Sequence, residues 1–210
     1  MSIRLRPALA AALVVTVACT GIASAATKKA APKPVCNLVQ DPKGDADVAG
    51  GAGNDDTLDI VSSDIATKGK LVTAVVRVTK ASTTSTNYPY GISWRLNFSV
   101  GDAQLFLSAI SDRSGVVGQY GYTDTTGGHI GGDATAVVDT AANEIRITTP
   151  LSSFADQATI KPGVVLSKLN SVTGAIAQVS GVGNLRFPTV DTAAGDKTYT
   201  AGAPSCVPVR

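Results

Sequence analysis

The chain has 210 residues, with Lys+Arg 18 against Asp+Glu 16 and a single histidine. Arg4 and Arg6 stand ahead of the first apolar run. Without them the two signs balance, so a nucleic-acid partner has no electrostatic support.

Residues 1–26 read as a signal peptide. "MSIRLR" is its positive end, "PALAAALVVTVAC" its apolar run, and Ala23, Ser24 and Ala25 its small residues for cleavage. Cys19 in "TVAC" resembles a bacterial lipoprotein box, with Thr16 where Leu is usual, so a lipid anchor at Cys19 stands as the alternative to simple cleavage. No later stretch approaches the ~18 apolar residues of a membrane span, so a secreted or extracellular chain without a transmembrane segment is expected. Residues 27–35 follow as a flexible tether rich in Lys and Pro, and residues 36–210 form one domain.

After cleavage two cysteines remain, Cys36 and Cys206, at the two ends of the domain. In an exported chain such a pair is most simply a disulfide, with free thiols or metal ligands as the alternative.

Glu144 is the sole Glu, and seven of the Asp residues fall between Asp41 and Asp64, opposed only by Lys43. Aspartate suits loops and short-armed oxygen ligation. Within this stretch "GGAGNDD" (50–56) begins like a calcium-binding nonapeptide repeat. It occurs once, and Thr57 stands where a large apolar residue belongs, so a stacked β-roll is not expected. Two readings of the loop remain. Asp41, Asp45 and Asp47 have alternate spacing, and with Asn54, Asp55, Asp56 and Asp59 they offer a Ca2+ shell. Otherwise it is a solvated acidic loop whose Asp residues cap turns.

Strands then follow one another. "LVTAVVRVT" (71–79) is apolar on both faces, and "GISWRLNFS" (91–99) alternates, with Ile92, Trp94, Leu96 and Phe98 facing inward. Segments 104–110, 115–123, 134–139, 143–149, 163–170 and 171–179 continue the series, separated by "VGDAQ", "DRSG", "DTTGG" and "DTAAN". "PLSSFADQ" is the one helical candidate, a single turn after Pro150. The pattern predicts an all-β, single-domain antiparallel β-sandwich, jelly-roll-like, with no tandem repeat.

"DPKGDA…NDDTLDIVSSDIATKGKLVTAVVRV" resembles the opening of the DOMON-like and family 9 carbohydrate-binding-module sandwiches, and "NEIRITTPLSSF" (143–154) resembles their late strand and turn. The resemblance implies a jelly-roll-like sandwich of roughly nine to eleven strands. It also implies an extracellular setting, a structural calcium near the first loop, and sugar or haem as ligand. Haem versions need Met and His ligands; the chain has only Met1 and His129, so haem is not expected.

For catalysis the inventory is thin. No G-x-S-x-G elbow occurs, His129 lies in the glycine turn "GGHIGG", and Glu144 alternates with Arg146 on a solvent face. Aromatic faces are the remaining means of recognition. Trp94 belongs inside, whereas Tyr88 and Tyr90, stiffened by Pro89, and Tyr120 with Tyr122 on one strand face are candidate sugar platforms. The expectation is a monomeric, secreted, non-catalytic module that binds a glycan or envelope polymer or serves structurally. A carbohydrate-binding module proper is the alternative, and a hydrolase built on His129 the third class.

Overall fold

The computed structural model describes residues 33–48, 53–178, 185–186 and 188–207, with backbone alone at 177–178 and 185–186. The expected signal peptide (1–26), Cys19, tether residues 27–32, Gly50 and Gly51 of the acidic loop and residue 179 of the last expected strand lie outside the described residues.

The regular structure is strands and one short turn. In chain order these are β1 (Val39–Gln40), β2 (Ile60–Lys68), β3 (Leu71–Val78), β4 (Gly91–Val100), β5 (Ala103–Asp112), β6 (Gly115–Asp124), β7 (Gly127–Asp139) and β8 (Glu144–Pro150). A 3-10 turn, Leu151–Phe154, precedes β9 (Val165–Ala175), β10 (Ala177–Gln178), β11 (Leu185–Arg186), β12 (Thr189–Ala194) and β13 (Tyr199–Thr200). One continuous antiparallel sheet runs β1-β2-β3-β8-β7-β6-β5-β4-β9-β12, with β13 also on β9; β10 and β11 pair separately.

The hairpins form where aspartates can fold the backbone on itself. Asp112 accepts the amide of Ser114, Asp124 that of Thr126, and Asp139 those of Ala141 and Ala142, so three expected separators are opened by an Asp side chain. Asn143, at φ 55°, closes the β7–β8 turn in the left-handed region that Asn tolerates.

The sheet curls so that its two halves face each other across the core. β7 is the corner: Gly127–Ala134 follows β6, and Thr135–Asp139 follows β8. From the facing halves, Ser171 Oγ donates to Ser63 Oγ at 2.7 Å and Thr173 Oγ1 to the Leu58 carbonyl at 2.6 Å. Ile92, Trp94, Leu96 and Phe98 are all buried, as their alternation requires, and they share the core with Val72, Ala74, Val76, Ile145 and Ile147. Each fully buried aliphatic or Phe side chain contributes about 1.5–3 kcal/mol. The Trp94 indole keeps its N–H satisfied by donating to the Thr57 carbonyl at 3.0 Å. Phe154, in the 3-10 turn, plugs one end, edge-on to Phe98 and Tyr120 at 5.7 and 5.5 Å.

Two strand assignments need correction. The expected strands 163–170 and 171–179 are largely one, β9. Lys168 sits at φ 50°, and the register against β4 slips between Asn97 and Ser99. This bulge lets one strand continue while its far edge passes from β13 to β12. Residues 127–132, expected as a turn, belong to β7. Their glycines leave room for the Tyr120 ring, since a Cβ on Gly131 would lie 2.6 Å from it. His129 is therefore on a strand.

Cys36 and Cys206 are disulfide-bonded, with Cα atoms 5.5 Å apart across 170 residues of sequence. An isolated parallel bridge between Val35 and Ser205 accompanies the bond. Among the described residues no helix is long and apolar enough to cross a membrane.

Candidate metal centre

The acidic loop is laid against β12. Gly44, at φ 90°, turns "DPKGD" back on itself and donates its amide to Asp59 Oδ1 at 2.9 Å. The amide of Asp47 then bonds to the Val190 carbonyl at 2.9 Å, and the amide of Asp41 to the Val61 carbonyl at 3.1 Å. These bonds bring the loop's first two aspartates to a residue that sequence reasoning missed. One carboxylate oxygen each from Asp41, Asp45 and Asp191 lie within 4.8 Å of one another.

The three groups differ in setting. Asp45 is exposed, Asp41 half-buried and Asp191 buried. Asp191 is fixed by two amides, Ile60 N–H on Oδ2 at 2.7 Å and Thr192 N–H on Oδ1 at 2.6 Å. Asp41 Oδ2 is buried with no hydrogen-bond partner. As ionised carboxylates, Asp41 and Asp191 have no donor to offer each other; a proton or a cation supplies what is lacking. Burial, followed by the charges of Asp191 and Asp45, accordingly lifts Asp41 from 3.8 to about 7. Burial also lifts Asp191, against the lowering effect of its two amide donors, with the charges of Asp45 and Asp59 adding to the rise. Asp59 stands behind the trio, fully buried, with both oxygens taken by the Gly44 amide and the Thr79 hydroxyl.

Of the other expected ligands, Asn54, Asp55, Asp56 and Asp59 have side-chain hydrogen-bond partners of their own, and Asp47 is not grouped with the trio. Asp55 is buried and organises the next loop, accepting from Ser85 Oγ at 2.5 Å and Asn87 Nδ2 at 3.1 Å. Asn54 accepts the Ala46 amide and donates to Asp56 Oδ1, which ties the two arms of the loop together. Asp47 is exposed and takes part through its backbone. Alternate spacing suggested that Asp47 would join Asp41 and Asp45, but its backbone is pinned along β12 and its side chain is outside the trio. The one signal for Asp191 was an acid among the small and β-branched residues of "TVDTAA".

The four tyrosines do not make one platform. Tyr88 is only 8% exposed, packs in the core and donates its hydroxyl to the Asp47 carbonyl at 3.4 Å, whereas Tyr90 is 45% exposed. Tyr120 and Tyr122 pack against the core from the inner face of β6. Through β5, Tyr122 aligns with Phe98, seven residues along β4 from Gly91, which places the two tyrosine pairs about 24 Å apart along the strands. Tyr122 stacks on His129, with ring centroids 4.8 Å apart, and the imidazole Nε2 lies 3.0 Å from both Asp124 Oδ1 and Thr126 Oγ1. Hydrogen bonds from Thr126, then from His129, hold Asp124 down at about 2.

Glu144 pairs with Arg146 at 2.7 Å, as its alternation suggests, and also with Arg77 at 2.9 Å. Arg77 continues to the buried Asp64 at 2.6 Å, so the pair belongs to a network across β2, β3 and β8.

No protein-family model matches the chain, and no curated protein matches it.

Proposed function

We propose that the chain is an exported, non-catalytic β-sandwich module of the cell envelope or extracellular space, with a structural Ca2+ tying its opening loop to β12. The observation that carries this reading is the buried, unpartnered Oδ2 of Asp41, on a carboxylate grouped with those of Asp45 and Asp191. Calcium takes about six to eight oxygens, and short-armed carboxylates on a loop with free carbonyls and water access suit it. Asp41, Asp45 and Asp191 would hold the ion, and Asp59, whose oxygens are already bonded, would add charge. Export is supported by the disulfide, which belongs to oxidising compartments. The jelly-roll-like sandwich class is supported by the facing halves of the sheet and by the turn after β8, the features that the DOMON-like and family 9 resemblance led one to expect.

Equilibrium dialysis of the mature protein against labelled calcium tests the reading. One ion per chain at saturation, lost in Asp191→Asn, is expected; no retention above an exposed-carboxylate control would overturn it.

A carbohydrate-binding module is the second reading. It is favoured by a cleft of about 500 Å³ on the outer face of the sheet, lined by Ser, Thr and Gln beside apolar side chains.

A further inference from the structure

The cleft that favours the second reading holds a cation with no counter-charge. It lies on the face of β4 opposite Trp94, where strand register sets Val172, Arg95, Ser108 and Gln119 in one row across β9, β4, β5 and β6. The next row holds Phe106, Gly121 and Ile130. Phe106 is 1% exposed although it points away from the core, because the Arg95 guanidinium lies over its ring at 3.6 Å from the centroid.

Arg95 donates Nε–H to Asn97 Oδ1 at 2.6 Å and Nη2–H to Thr123 Oγ1 at 2.9 Å, and Nη1 has no acceptor among the described residues. It takes part in none of the ion pairs found there. Every Asp and Glu side chain of the sequence lies within the described residues. Asp133, the acid in the same row, is three strand spacings away, about 14 Å. Burial pushes the guanidinium down to about 10, so it stays charged at neutral pH while bearing a desolvation cost that an arriving anion offsets.

We propose that this cleft binds an acidic sugar, a hexuronate unit of a polysaccharide, with Arg95 receiving its carboxylate. The inference rests on the carbohydrate-binding reading and names the sugar class. A single planar guanidinium matches one carboxylate, whereas a phosphate dianion calls for more positive charge than the cleft offers. Ser93, Ser108, Gln119 and Thr189 offer hydrogen bonds to ring hydroxyls, and Ile110 and Ile130 offer apolar contact to a ring face. The volume accommodates about two sugar rings. The site shares no residue with the aspartate trio, although its Thr189 lies two residues from Asp191 on β12.

Calorimetric titration of the mature protein, at fixed calcium, tests the proposal with digalacturonate, its dimethyl ester and phenylacetate. Digalacturonate is expected to bind at least ~10-fold more tightly than the ester, a preference that Arg95→Gln removes. Ile130→Asp places a carboxylate at the rim of the cleft, on a side chain 57% exposed, and is expected to weaken digalacturonate binding with an unchanged melting temperature. That variant carries the test should Arg95→Gln fail to fold. Equal binding of acid and ester overturns the role of Arg95 while leaving a neutral-sugar module standing. Phenylacetate binding as tightly as digalacturonate overturns the sugar class. No binding of any of the three overturns both the proposal and the carbohydrate reading.

Discussion

Calcium added to metal-free protein should raise its melting temperature, and the rise should disappear in Asp191→Asn. Extracellular calcium modules have dissociation constants of about 10⁻⁴ to 10⁻³ M. At 10 mM calcium, mass action then stabilises the folded state by about 1.4–2.7 kcal/mol. For a domain of this size each kcal/mol is worth about 2–4 °C, which gives a shift of about 3–11 °C by scanning calorimetry. The pH dependence carries the sign. Asp41 is lifted from 3.8 to about 7, so metal-free protein favours its protonated form. That stabilisation is fully present below pH 4 and is lost as the pH climbs through 7. The whole shift corresponds to ~4 kcal/mol, and solvent screening at a half-exposed side chain reduces it to about 1–2 kcal/mol. Metal-free protein should therefore melt lower at pH 8 than at pH 5, and calcium should close that gap by taking the proton's place. Identical curves in calcium and chelator, with no pH-dependent gap between them, would refute the reasoning and leave a solvated acidic loop.

Reducing Cys36–Cys206 should lower the melting temperature, with an upper bound of about 5 kcal/mol from chain entropy for so long a loop; full alkylation without prior reduction would contradict the bond. Arg77→Met leaves Asp64 buried without its cation and should cost about 3–5 kcal/mol in urea unfolding, whereas Arg146→Met, which leaves Glu144 still paired with Arg77, should cost under ~1 kcal/mol. Tyr88→Ala should destabilise by about 3–5 kcal/mol and Tyr90→Ala by under ~0.5 kcal/mol; equal, small effects would return Tyr88 to the surface.

What could be read from sequence was what local chemistry decides. The alternation from Ile92 to Phe98 has one burial solution, and the Asp-led separators turn the chain through their own carboxylates. Within residues 36–210 the two cysteines have only each other as partners. What escaped was decided by distant packing. Asp191 meets Asp41 because Asp47 bonds to Val190, a pairing that no local pattern encodes. Tyr88 looked like a loop residue beside Pro89, but the Asp55 carboxylate draws Ser85 and Asn87 inward and carries it into the core. The glycines of 127–132 signalled a turn, yet they are there to clear space for Tyr120. Arg95 alternates with the buried Trp94 and Leu96, and only the register that places Phe106 beneath it shows a sheltered cation.

The bond that joins Cys36 to Cys206 also fixes how the domain bears force. Tension entering from the tether side and leaving beyond residue 206 runs through adjacent backbone at Val35 and Ser205 and across one covalent link. The strands lie outside that load path, so pulling on the two ends does not peel β1 or β13 from its neighbour. A module held on a tether against flow or surface drag would keep both the aspartate trio and the Arg95 cleft in shape until the disulfide itself were reduced.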